Sequence, residues 1–387
     1  MIARILVPIL IIIIFSDLYI DRRFLRRRTR YLWWQRVLWW MLGVLLIAYT
    51  LIVALSKHFA PSSMTVLNVY LLLLGVVVLP KFVFAFCSLL GWGHCRFHHT
   101  RNNWGNLVGF FLAIAVIIIV VYGSTFGFRK LVVRHVVFRS ADLPEAFNGY
   151  KIVHFSDAHV GIYGDGDTAL LEEFVDSINA QKPDLILFTG DLQNMEPKEL
   201  YPVIPLLSSL KAADGVFSVL GNHDYADYIK AEDAVKVANE RELISRERQF
   251  GWNLLLNENR SVKRGNDSIV IAGMENDGRP PFPQKGDIRK TLAGVADSAF
   301  VIMLEHDPTA WRRMILPQSR AQLTLSGHTH AMQFSIFGFS PAAFIYDEWG
   351  GMYYEGKRAL NVSVGMGGFI PFRFGASNEI VVIELRK

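Results

Sequence analysis

Val216-Phe217-Ser218-Val219-Leu220-Gly221-Asn222-His223-Asp224 is an apolar run of strand length that ends in a glycine and three polar side chains. It reads as a buried strand and the turn that closes it. The turn offers an amide oxygen, an imidazole and a carboxylate at one strand end, the edge at which α/β sheets bind ligands. Working outward, the arrangement recurs. Ile152-Val153-His154-Phe155 runs into Ser156-Asp157-Ala158-His159, and Leu185-Ile186-Leu187-Phe188 into Thr189-Gly190-Asp191. Downstream, Val301-Ile302-Met303-Leu304 precedes Glu305-His306, and Leu323-Thr324-Leu325 comes before Gly327-His328-Thr329-His330. Between these strands, Leu170, Leu171, Phe174, Val175 and Ile178 fall at helical spacing, and 200–210 also reads as helical. This βαβαβ rhythm predicts a layered α/β domain.

The remaining elements fit around that rhythm. Phe128 to Phe138 alternates apolar and basic residues as a first strand. Residues 161–166 are glycine-rich but match no dinucleotide or P-loop pattern, so they read as a loop at the rim of the site, with Asp165 and Asp167 solvated. Residues 225–250 read as a charged helix, 252–256 and 268–273 as short strands, and 276–290 as a loop. Pro308 opens a helical stretch through Trp311 and Met314, and the chain ends in strands at 359–364 and 379–385.

The N-terminal third is of another kind. At 387 residues two domains are expected, and the 51% apolar fraction is concentrated in the first 126 positions. Stretches near 2–20, 37–56, 65–90 and 105–126 are long enough to cross a bilayer, which takes about 20 apolar residues. No small-residue cleavage site follows the first, so it does not read as a signal peptide. The third contains Pro80 and Lys81, which predicts a kink or a lysine reaching the interface. Arg22, Arg23, Arg26, Arg27, Arg28, Arg30 and Arg36 crowd the first connection, only Lys57 and His58 the second, and Arg96 and Arg101 the third. Positive charge marks the cytoplasmic side, so residues after the fourth span are expected outside the cytoplasm, although Arg129, Lys130 and Arg134 weigh against this. Trp33, Trp34, Trp39 and Trp40 fit an interfacial belt. The arginine block reads as an orientation signal rather than a nucleic-acid site. His94, Cys95, His98 and His99 lie close together but have no second ligand pair nearby, so they read as a chance cluster. The two cysteines, Cys87 and Cys95, both lie in this part, so the C-terminal domain has neither a disulfide nor a thiolate ligand.

The polar strand ends define a chemistry. Two divalent cations about 3.5–4 Å apart can clamp the attacking and leaving oxygens of a phosphoryl transfer and make hydroxide available at neutral pH. Such a pair needs one shared carboxylate and further oxygen and nitrogen ligands. Asp157, His159, Asp191, Asn222, His306, His328 and His330 have the right number and types. Singly, each would be an ordinary turn residue or core histidine; in this order, each after an apolar strand, they point to a metal centre.

Asp157-x-His159, Gly190-Asp191, Gly221-Asn222-His223-Asp224, His306 and Gly327-His328-x-His330 resemble the signature blocks of the calcineurin-like metallophosphoesterases. The resemblance covers residues 128–387. Ser156-Asp157-x-His159-x-Gly161 and the stretch Gly365 to Gly375 are most similar to the membrane-associated YkuE- and YaeI-like branch. That branch has Gly-Gly-Gln after Gly-His-Thr-His, where this chain has Ala331-Met332-Gln333. The resemblance implies a four-layer α/β/β/α sandwich at 128–387, preceded by an all-α transmembrane domain of four helices at 1–127. It implies that Asp157, His159 and His330 hold one metal, that Asn222, His306 and His328 hold the other, and that Asp191 bridges them. His223 would contact the phosphoryl oxygen or protonate the leaving group, and Asp224 would orient His223. The oxygen and nitrogen ligand set suits Mn, Fe or Zn, with Mg also allowed.

The expected activity is hydrolysis of a phosphodiester, phosphomonoester or pyrophosphate. Four spans and the apolar loop Phe334 to Tyr346 extend this to a lipid or lipid-linked substrate, although the same loop has an ordinary reading as core. A non-catalytic membrane scaffold is the rival reading, and the complete ligand set with His223 and Asp224 counts against it. A nuclease is disfavoured, because the domain has no basic stripe with interleaved aromatics.

Overall fold

The computed structural model describes residues 2–26, 33–56, 64–163 and 168–387. Arg27, Arg28, Arg30, Lys57, His58, Asp165 and Asp167 lie outside the described residues. The chain forms two compact units, Met1–Thr125 and Phe126–Lys387.

Among the described residues of the first unit, four helices are long and apolar enough to cross a membrane: Ile2–Leu25, Trp33–Ala54, Met64–His98 and Trp104–Gly127. The third is one continuous helix. It widens to a π-helical turn at Leu74–Val78, just ahead of Pro80, which has no amide hydrogen to donate. Lys81 is paired within the first unit. Its Nζ lies 2.8 Å from Asp17 Oδ1, and the ammonium sits 4.2 Å from the Trp39 ring centre. A carboxylate and an aromatic face thus hold a largely buried ammonium. Gly43 lets the second helix come close, since a Cβ there would stand 2.1 Å from Asp17 Oδ2. Asp21 is buried and takes Arg36 and Arg26 at 2.8 and 3.1 Å. The His94 and His98 rings lie tilted at 4.4 Å, one helical turn apart, and Cys95 Sγ donates to the Asn102 carbonyl.

The second unit is built on twelve strands: β1 (Leu131–Arg139), β2 (Lys151–Phe155), β3 (Leu185–Phe188), β4 (Val216–Ser218), β5 (Asn253–Leu254), β6 (Glu258–Arg264), β7 (Asp267–Gly273), β8 (Phe300–Leu304), β9 (Leu323–Ser326), β10 (Gly351–Glu355), β11 (Arg358–Val362) and β12 (Asn378–Arg386). They form two six-stranded sheets, ordered β1-β12-β2-β3-β4-β5 and β10-β11-β9-β8-β7-β6. The central strands β2 to β5 and β7, β8, β9, β11 are parallel. Parallel strands covered on both faces read as continuous apolar runs, which is why these stood out in the sequence.

Three apolar layers separate four structural ones. Ile152, Leu187 and Phe217 of one sheet meet Ile271, Ile302 and Leu325 of the other in the central layer. The opposite face of the first sheet packs Val153, Ile186 and Phe188 against Leu171, Phe174 and Ile178 of the helix Ala169–Ala180. The outer face of the second sheet packs Val301 and Met303 against Trp311 and Ile315. The result is an α/β/β/α sandwich with the polar ends of β2, β3, β4, β8 and β9 along one edge.

Candidate metal centre

The turns after these five strands bring their polar side chains together. Asp157, His159, Asp191 and His330 present ligand atoms within 4.8 Å of one another, and so do Asp191, His306 and His328. Asp191 belongs to both groups. Its Oδ2 lies 3.2 Å from His306 Nε2 on one side and 3.6 Å from His159 Nε2 on the other. Its Oδ1 accepts the His223 amide at 2.8 Å. Asn222 completes the second group, with Oδ1 2.7 Å from His328 Nδ1. The Asn222 amide nitrogen donates to Tyr228 OH, so its oxygen faces the cluster.

The backbone is bent to achieve this. Asp157, His159, Asp191, His328 and His330 have φ between 43 and 72, the left-handed region. Each such non-glycine residue costs of order 1–3 kcal/mol and persists only where the surroundings enforce it. Glycines provide the room: a Cβ on Gly327 would stand 2.3 Å from Asp157 Oδ2, and one on Gly221 would stand 2.2 Å from Asp191 Oδ1.

Burial pushes the His159 imidazole down to about 3, and His330 also falls well below its usual value, so both rings are neutral. Their Nε2 atoms nevertheless face each other at 3.2 Å. Burial also opposes ionisation of Asp191, but the facing His306 and His223 rings outweigh it and hold the carboxyl well below the usual carboxylate range. His306 responds reciprocally: burial disfavours its charge, yet the Asp191 carboxylate raises it to about 10. His306 Nε2 is buried and makes no well-aligned hydrogen bond, although Asp191 Oδ2 lies 3.2 Å away. Converging ring nitrogens and a shared carboxylate fit a pair of cations. The donors, four imidazoles, two carboxylates and one amide oxygen, suit borderline divalent ions.

Around these residues lie groups that no motif in the sequence marks, each holding a ring or a loop in place. His306 Nδ1 sits 2.6 Å from the Thr189 carbonyl, and His328 Nε2 is 3.1 Å from Tyr346 OH and 3.5 Å from Asp307 Oδ2. Such contacts fix the tautomer and aim the other ring nitrogen. Arg373 is wholly buried and donates to the carbonyls of Val364, Gly365, Gly367, Ala376 and Ser377. It thereby ties down the loop whose Met366 and Gly367 amides donate to the Ser156 and Asp157 carbonyls.

His223 lies half-buried beside the cluster, 4.7 Å from the His159 ring and stacked on Tyr228 at 3.9 Å. The expectation that Asp224 orients it is corrected by the geometry. His223 Nδ1 is 2.6 Å from the Asn194 carbonyl. The Asp224 carboxylate instead accepts four backbone amides: Asp191 and Gly221 on Oδ2, Leu192 and Gln193 on Oδ1. A short side chain at the start of a tight turn meets nearby amides before it can reach a ring.

A double-sheet sandwich with a mixed Asp/His/Asn cluster at one edge defines a metal-dependent phosphoester hydrolase, and the chain belongs to the calcineurin-like metallophosphoesterase family. Residues 150–332 match the calcineurin-like phosphoesterase family, and residues 3–128 match the family described as the probable calcineurin-like phosphoesterase transmembrane domain. The chain is 31% identical to the metallophosphoesterase YkuE of Bacillus subtilis over 281 residues, which is 68% of this chain and 91% of that protein. It is 29% identical to the transmembrane protein with metallophosphoesterase domain of Danio rerio, over 71% of this chain and 62% of that one. A dimetal phosphatase crystal structure from Danio rerio is similar over 58% of this chain and 89% of its own, with a TM-score of 0.35 and 14% identity.

Proposed function

We propose that the chain is a membrane-anchored hydrolase of phosphodiester, phosphomonoester or pyrophosphate bonds, with residues 1–127 as the anchor and 128–387 as the catalytic domain. The observation that carries this reading is Asp191 Oδ2, placed between two ligand groups that share no other residue. Asp157, His159 and His330 would hold one cation, Asn222, His306 and His328 the other, and Asp191 would serve both. A bound pair of divalent ions would supply an activated water as nucleophile and offset charge on the phosphoryl oxygens. The chain's own groups do the rest. With Nδ1 donating to the Asn194 carbonyl, Nε2 is the free nitrogen of the His223 ring, where it would meet a phosphoryl or leaving-group oxygen. Burial lowers the pKa of His223 and the Asp191 charge opposes this only in part, so the resting ring favours its neutral form; to protonate a leaving group it would first take up a proton at Nε2, which an approaching anionic oxygen promotes. Asp224 holds the turn that carries Asp191.

We further place the catalytic domain outside the cytoplasm of a cell-membrane protein, from the arginines in the first inter-span connection, and assign it a lipid or lipid-linked substrate. The test is hydrolysis of a generic aryl phosphodiester with Mn by the full chain. Asp191→Ala is expected to lose both activity and bound metal. His223→Ala is expected to keep its metal and lose about 10²–10⁴ in kcat. Wild-type activity no higher than that of Asp191→Ala would favour the non-catalytic scaffold.

A further inference from the structure

The segment from Met332 to Ile345 leaves the metal centre directly after His330. It is not core. Among the described residues beyond the last span, eleven large apolar side chains are exposed, and six of them fall in these fourteen residues: Met332, Ile336, Phe337, Phe339, Phe344 and Ile345. The clustering makes this a patch rather than the scattered exposure that any surface shows.

Its geometry is fixed. Phe337 and Gly338 have φ of 52 and 80 and form the tip of a two-residue turn closed by paired bonds between Ile336 and Phe339. The Phe337 ring is fully exposed at that tip, and Phe344 is 81% exposed, packed edge-on to Phe339 at 5.5 Å. The base is anchored: Ser335 donates to the Phe374 carbonyl, Phe374 to the Gln333 carbonyl, and Ser340 Oγ to the Ala331 carbonyl. Met332 also stands at positive φ, 49. Met and Phe in the left-handed region each cost about 1–2 kcal/mol that glycine would avoid. Neither gains burial in return, so folding does not account for them. Tyr346, immediately after the patch, touches the metal ligand His328.

We propose that Met332–Ile345 is a membrane-inserting hairpin that seats the metal centre against the bilayer surface, so that the enzyme attacks phosphoesters at headgroup depth. This rests on the hydrolase reading above and narrows its substrate to bilayer-resident phosphoesters. The occupant follows from the chain itself. The last span ends at Gly127 and β1 begins at Leu131, so a three-residue link of about 10 Å tethers the catalytic unit to its bilayer. Exposed aromatic and aliphatic side chains on a rigid turn bury favourably at the headgroup boundary. A tether this short supplies that surface at no cost in encounter.

The experiment uses the full chain with Cys87→Ser and Cys95→Ser, in vesicles of phosphatidylcholine and phosphatidylglycerol. A single cysteine at Phe344→Cys, or at the exposed control Tyr354→Cys, carries an environment-sensitive fluorophore. Lipid-borne nitroxide should quench the label at 344 several-fold more than that at 354, and aqueous iodide should do the reverse. Met332→Gly with Phe337→Gly suits the backbone and should cut nitroxide quenching at 344 without lowering Tm. A label at 344 open to iodide and indifferent to nitroxide overturns the proposal. So does one shielded from both, which would assign the patch to a second copy. The readout needs no turnover, so loss of the hydrolase reading would show only in the aryl phosphodiester assay.

Discussion

Asp224 shows how a residue next to a functional one can serve it without touching substrate. Four amides converge on its carboxylate, and they belong to the turn that carries Asp191 and to the start of its own turn. Removing the carboxylate strands buried donors, each worth roughly 1–3 kcal/mol when left unpaired. Asp224→Ala is therefore expected to lower Tm clearly and to weaken metal retention, while the His223–Asn194 contact survives. Thermal unfolding and metal content of the purified variant would decide it. A variant with wild-type Tm and metal content, impaired only in kcat, would return Asp224 to a role through His223. The residues that cluster at this edge were legible because each follows an apolar strand. Their supports were not. Asn194 acts through a backbone carbonyl, which any residue supplies, and Tyr228, Asp307 and Tyr346 come from loops whose folding no periodicity encodes.

At the scale of elements, the same contrast explains which strands could be read. β8 is buried at every position, whereas β6 buries only Val262 among charged and polar neighbours at a sheet edge. Edge strands have one partner and half a core, so their apolar signal is weak, and β6 and β10 were both missed. The helix Asp233–Gln249 was legible by charge but starts eight residues later than the charge pattern implied: Ala226 stands in the left-handed region at φ 57, and the chain continues as turns and bends to Glu232. That helix has a buried carboxyl, Glu247, bonded to Ser218 Oγ of β4 at 2.6 Å. Burial, with some help from the Asp224 charge, pushes Glu247 up to about 8 from 4.5. A raised carboxyl binds a proton in the folded state that the unfolded chain releases. Its stabilisation is thus complete below pH 4.5 and is lost as pH rises towards 8, at about 1.4 kcal/mol per pH unit. Glu247→Gln keeps the neutral contact and should flatten that slope. Tm in detergent, followed from pH 5 to 9 for both proteins, should diverge in favour of the variant at the alkaline end. Parallel curves would mean that Glu247 is not buried neutral.

For the whole molecule, the proposal that the catalytic unit lies outside the cytoplasm rests on the charges of the inter-span connections. Arginines gather in the first inter-span connection and again at Arg96 and Arg101, while the second connection holds only Lys57 and His58. With four spans, alternation puts the two arginine-bearing connections on one face and residues after Gly127 on the other. Arg129, Lys130 and Arg134 oppose this, but Arg134 is bound to the buried Glu379 at 3.0 Å and so is partly neutralised within its own domain. The remaining bias favours arginines inside and catalysis outside. Single cysteines in the Cys87→Ser, Cys95→Ser background make the expectation measurable with a membrane-impermeant maleimide. Asp142→Cys, exposed in the catalytic domain, should label on intact cells, and Arg101→Cys only after lysis. The reverse pattern would put the metal centre in the cytoplasm, and the substrate would then have to be a phosphoester of the inner leaflet.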